Sequence, residues 1–259
     1  MLYALSAAIM TLGLLMAMLF LLEVGRRAGA RRIARDPEGA RAGAGAIDGA
    51  VFGLLGLLVA FTFGGAATRF DARRQLVIEE TNHIGTAYLR LDLLPADAQP
   101  ALREEFRRYL DNRLEVYRKL PDVAAAYKEL AKGEEIQRKI WRQAVAASRA
   151  PGAAAAAPVL LLPALNAMID ITTTRTFAAQ NHPPIVIFVM LFVLAMIAAL
   201  VAGYGMAGSK ERSWVHMVCF ALVLAVSVYV ILDIEYPRLG LIQVKSFDQA
   251  LVDLRNSIK

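Results

Sequence analysis

The chain has 259 residues, 57% of them hydrophobic and 20% charged, with a formal charge of +6 and a mean hydropathy of +0.46. Its basic residues sit in loops beside apolar runs, a pattern that pairs with anionic lipid and excludes nucleic acid as a partner. The only cysteine, Cys219, excludes an internal disulfide and a cysteine-built metal site.

Residues 2–22 are the first of four charge-free apolar runs; the others are 49–68, 185–209 and 214–232. Each is long enough to cross a bilayer as a helix, which takes about 20 apolar residues. No Lys or Arg precedes the first run and no small-residue cleavage site follows it, so it reads as a retained span. Arg26, Arg27, Arg31, Arg32, Arg35 and Arg41 come next, with Pro37 and several glycines. That stretch, 26–41, is expected to be a basic loop.

The second run carries Gly49, Gly53, Gly56, Ala60 and Gly64. Spacings of three and four put them on one helix face, which suits close helix packing in lipid. Phe52, Val59, Phe63 and Phe70 form an adjoining stripe. The stripe is either core and lipid-facing or the constriction of a pore. No acid or base lies inside any of the four runs, which argues against a proton-coupled carrier.

Residues 69–94 keep helical periodicity. Leu76, Ile84, Ala87, Leu91 and Leu94 line one face, and Gln75, Glu79, Asn82, Thr86 and Arg90 another. The second helix should therefore continue until Pro95. Residues 97–119 predict an amphipathic helix, 122–149 one or two helices divided near Gly133, and 159–181 a further helix stopped by His182-Pro183-Pro184. After the fourth run, Asp233 to Gly240 is a turn-rich stop, and 247–257 a short closing helix. The fold class is all-α: a polytopic membrane protein with four transmembrane helices and an extramembrane helical domain between spans two and three. Its parts are 1–68, 69–184, 185–232 and 233–259. Cys219, within the fourth run, is expected to be a small buried apolar residue.

Glu79, Glu80, Asn82 and His83 are the densest polar group. Glu80 to His83 has the spacing of half a di-iron site. The matching second half is missing, so neither metal nor cofactor is expected. Two readings remain: pairing with Arg73, Arg74, Arg90 or Arg175 across helices, or the wall of an ion vestibule. Asn166, Asp170 and Thr174 share a helix face and offer either interhelical bonding or a second vestibule wall. Asp233 and Glu235 read as a polar helix stop or, less in keeping with the rarity of calcium held by two carboxylates alone, as a cation site. No phosphate loop, nucleophile elbow or zinc-protease spacing is present, and no enzyme is expected.

Three segments together carry a resemblance: Leu54-Leu55-Gly56 through Arg69-Phe70-Asp71-Ala72-Arg73-Arg74 and Glu79 to Arg90; Asn166 to Asp170 with Arg175 and His182-Pro183-Pro184; and Asp233 to Ile242. The chain resembles the bestrophin-like domain family of bacterial membrane proteins and, beyond it, bestrophin ion channels. The resemblance implies a homopentameric ion channel in the bacterial inner membrane, its pore lined by the second span. Permeant ions, lipid and sibling chains would then be its partners. Phe52, Val59, Phe63 and Phe70 would line the path, and Glu79, Glu80, Asn82, Asp170, Arg73 and Arg90 its mouth. The tryptophan pair expected near Phe70 and a run of acids after span four are absent, so calcium gating does not carry over. The resemblance puts termini and helical domain in the cytoplasm, whereas the positive-inside rule puts them outside. The alternative to a channel is a non-conducting scaffold or stress-response protein whose helical domain binds a partner.

Overall fold

The computed structural model describes residues 2–36, 44–208, 213–238, 240–242 and 245–258. Regular structure among the described residues is helical throughout: α1 (Leu2–Arg35), α2 (Ala44–Leu89), α3 (Gln99–Lys119), α4 (Val123–Ser148), α5 (Ala157–Gln180), α6 (Ile185–Gly205), α7 (Trp214–Glu235) and α8 (Lys245–Ser257). Four segments are long and apolar enough to cross a membrane: Leu5–Arg35, Gly45–Leu93, Ala157–Gly208 and Trp214–Glu235. The chain divides into two compact units, Met1–Thr68 with His182–Tyr236, and Arg69–Asn181 with Pro237–Lys259. Helix α2 belongs to both, because nothing between 44 and 89 breaks it: the stretch holds no proline. It ends in a 3-10 turn, Arg90–Leu93, and Leu94 is extended, as a residue before proline must be.

In the first unit α1 packs along α6 and α7. The crossing is made by glycine. A Cβ on Gly203 would stand 2.0 Å from the Leu22 carbonyl oxygen, and one on Gly25 2.0 Å from that of Leu200. A Cβ on Gly29 would likewise meet Ala207 and Tyr204 at 2.6 and 2.7 Å. This contact corrects the expectation of a loop after residue 25: α1 remains helical to Arg35. Glu23 accepts from Arg26 at 3.1 Å and from Arg27 at 2.7 Å, one turn on. Arg32 and Arg35 in the last turn oppose the partial negative charge of the helix end. The Arg41 and Pro37 part of the expected loop lies outside the described residues. Around the crossing, Met18, Leu22, Leu191, Ala195, Ala198 and Ala221 form a closed core. Cys219 is exposed, contrary to expectation. Helix α7 turns Met217, Ala221, Ala225 and Val228 inward, and position 219 falls between those turns.

The second unit is built on α3, α4 and α5 with the end of α2 and with α8. Asp122 caps α4, its carboxylate accepting from the Ala125 N–H at 2.9 Å. The expected division at Gly133 is absent, and α4 runs unbroken through it. The glycine serves an approach instead: a Cβ there would lie 2.6 Å from Asn112 Oδ1, whose amide nitrogen donates to the Glu129 carbonyl at 2.9 Å. Leu91, Phe106, Tyr109, Ile140, Leu161 and Met168 make the core. Arg255 closes α8 onto α3 through both oxygens of Asp111, at 2.7 and 3.0 Å.

Candidate functional site

The two faces of α2 in the first unit have different fates. The aromatic stripe splits. Phe52 meets Phe220 edge-on, ring centroids 6.0 Å apart, and Val59 is half-buried against the same core. Phe63 is exposed, while Phe70, at the start of the second unit, is half-buried with the Arg74 guanidinium 5.5 Å from its ring. Among the described residues, the small-residue face meets nothing at its glycines. Gly49, Gly53, Gly56, Ala60 and Gly64 are exposed, and no atom lies within 4 Å of where a Cβ would sit on any of the four glycines. Only 11% of the apolar window of this span is buried, against 22–33% in the other three.

The polar residues of the second unit are also divided. Glu80 is wholly buried and pairs with Arg113 (Oε1, 2.5 Å) and with Arg175 through its other oxygen. Of the two readings open for it, ion attraction or pairing across helices, Glu80 follows the second: it is the centre of a buried cluster, held by two guanidiniums that leave it no route to solvent. Arg113 also donates to the Tyr117 hydroxyl at 3.0 Å. The Tyr117 ring carries Arg175 at 4.9 Å and Arg238 at 4.1 Å from its centroid. Burial pushes the Tyr117 phenol up, with Arg113 and Arg238 pulling the other way. Burial works against the charge on Arg238, but two hydrogen bonds of 2.8 Å from its guanidinium to Asp248 hold its pKa above the ordinary value. Sequence periodicity signals none of the roles of Arg113, Tyr117 and Arg238; of this cluster, only Arg175 is among the partners the sequence offers for Glu80.

Arg73 and Arg90 clamp the two ends of α5. Arg73 donates to the carbonyls of Ala178 and Asn181 at 2.9 Å each, satisfying a helix C-terminus. Arg90 donates to the Leu160 carbonyl at 2.5 Å near the other end. Asn82 and Asp170 are exposed, and Glu79 is half-buried with Gln75 as its hydrogen-bond donor at 3.5 Å. Thus Glu79, Asn82 and Asp170 still present their polar groups at the surface, whereas Glu80, Arg73 and Arg90 are engaged inside the unit. Among the described residues no group of three His, Cys, Asp or Glu side chains could hold a metal. In the first unit, Glu235 is fully buried with His182 Nδ1 at 2.9 Å, and the His182 ring stacks on Tyr236 at 4.3 Å.

The family profile described as Bestrophin-like domain matches residues 14–247. The chain belongs to the bestrophin-like domain family. The match takes in the whole of α2 to α7, all but the first twelve residues of α1, and the first three residues of α8. This bestrophin-like chain is a multi-pass membrane protein, and its four apolar helices lie in contact with lipid. No curated protein and no solved structure matches it.

Proposed function

We propose that this bestrophin-like protein is a homo-oligomeric ion channel of the bacterial inner membrane with α2 at the centre of the assembly. The observation that carries this reading is the bare glycine face of a span that buries only 11% of its apolar window in its own chain. Glycine contributes little to a lipid-facing surface, and its use in membranes is to let helices approach. Copies of the same chain are the natural cover, and closure of such a contact about an axis produces a ring. A pentamer is what the family likeness to bestrophins suggests. Four spans in one chain are too few to enclose a wide aqueous path, so conduction also requires several chains. Phe63, exposed beside the glycine face, is the side chain available for the constriction; Phe52 and Val59 contribute to the path only indirectly, as packing behind α2. The second unit forms an extramembrane vestibule in which Glu79, Asn82 and Asp170 favour cations.

Purified full-length protein in planar bilayers tests the reading. Unitary currents are expected, with a changed conductance in Phe63→Ala. Silence of both proteins after verified insertion would leave a non-conducting scaffold as the better account.

A further inference from the structure

The outer face of α1 changes chemistry along a single line. Leu14, Met18, Leu22, Gly25 and Gly29 turn inward. On the opposite side Leu5, Ile9, Leu12, Met16 and Phe20 are 59–67% exposed. At 3.6 residues per turn these five fall within a band of about 80°. Arg27 lies inside the same band, and Arg31 about 20° beyond its edge. The stripe that meets lipid therefore runs straight into two guanidiniums. It does so because α1 stays helical past Gly25 and Gly29; in a loop the arginines would share no face. Arg27 stands about 33 Å along the axis from Leu5, close to the thickness of a hydrocarbon core, about 30 Å. Side chains on a helix lean toward its N-terminus, so both guanidiniums point back toward the apolar stripe, at headgroup level. The Arg27 Nε bond to Glu23, one turn earlier, has that direction.

The charge here is uncompensated. Between residues 23 and 35 five arginines face one acid, Glu23, and that acid is taken by Arg26 and Arg27. The Arg27 side chain is still exposed. Arg31 is exposed and has no side-chain hydrogen bond or ion pair among the described residues. Arg27 and Arg31 are (i, i+4) neighbours, with Cβ atoms about 6 Å apart, so one phosphate can sit between them. A phospholipid brings to one place the anionic head and the apolar tail that this face calls for. The stripe is bulky, unlike the glycine face of α2, and so suits acyl chains better than a closely approaching helix. The ammonium group of phosphatidylcholine would meet the same arginines and oppose binding, which favours a headgroup with net negative charge.

We propose that this face of α1 holds an anionic phospholipid, its phosphate between Arg27 and Arg31 and an acyl chain along Phe20 and Met16. The proposal goes beyond conduction, and its readout needs no current. The chain has only two tryptophans, so Phe20→Trp with Trp141→Phe and Trp214→Phe leaves one reporter, on the stripe. This full-length protein is reconstituted in mixed vesicles of phosphatidylglycerol and phosphatidylcholine, with brominated acyl chains on one lipid or the other. Quenching of the tryptophan then gives the relative occupancy of the two lipids. Phosphatidylglycerol is expected to be preferred about fivefold. Arg27→Gln with Arg31→Gln should bring the ratio to about one, while quenching in pure brominated phosphatidylcholine stays as in the parent and reports an intact, inserted helix. Arg31→Gln alone, at a side chain with no partner to lose, should lower the preference to about twofold; it carries the test if the double change harms folding. The proposal is overturned if the parent shows no preference, or if the preference survives the loss of the arginines. It is equally overturned if neither lipid quenches, as a face covered by a second copy of the chain would give.

Discussion

Gly203 of α6 rests on the backbone of Leu22 in α1, so closely that a Cβ would come within 2.0 Å of the Leu22 carbonyl oxygen. The opposing surface is main chain and cannot rotate away. Gly203→Ala therefore has to separate the two helices, at a cost of about 1–3 kcal/mol or more. A lowered midpoint in thermal unfolding of the detergent-solubilised protein is expected; an unchanged midpoint would mean that the crossing is looser than described.

Gly56→Leu makes the opposite case. Among the described residues no atom lies within 4 Å of its Cβ position, so the fold of a single chain is expected to tolerate the change. Assembly is not, if the proposed oligomer forms on this face, because the added side chain would occupy it. Native mass spectrometry should show parent oligomers and, for the variant, smaller species with the helical content retained. A variant that assembles like the parent would remove α2 from the interface.

Glu80→Gln leaves two buried guanidiniums, those of Arg113 and Arg175, without their counter-ion. Breaking a buried pair from one side costs about 3–5 kcal/mol. Chemical denaturation should place the variant at the lower edge of stability or below it. A loss under about 1 kcal/mol, the scale of a surface pair, would contradict the burial of the cluster.

Burial raises the phenols of Tyr109 and Tyr117 above their ordinary pKa of 10.0. The unfolded chain releases those protons first as pH climbs, so ionisation favours unfolding. The stability tied to both groups is whole below pH 10 and declines as pH rises from there through the native pKa values. The unfolding midpoint should fall steeply above that point, and Tyr117→Phe should flatten the fall. An equal slope in parent and variant would show that Tyr117 ionises as freely in the native protein as in the unfolded one.

How far the sequence reaches is visible at single glycines. Spacings of three and four put Gly49, Gly53, Gly56 and Gly64 on one face, but periodicity cannot say what that face meets. The intrachain crossing fell to Gly25, Gly29 and Gly203 instead, and this also kept residues 26–35 helical. Gly133 looked like a helix break. It is an allowance for the Asn112 side chain from a neighbouring helix, a reason that no window of α4 contains.

Sequence alone determined the four apolar segments, the all-helical class and the family, because each follows from local composition or from order along the chain. The tertiary structure decided which charges are open and which are closed. Glu80 reaches Arg113 and Arg175 from 33 and 95 residues away, and Arg73 caps a helix end 105 residues distant. A carboxylate in a helical pattern has the same signature whether it faces water or two guanidiniums. The difference lies in which helices are brought alongside, and that is a property of packing, not of period.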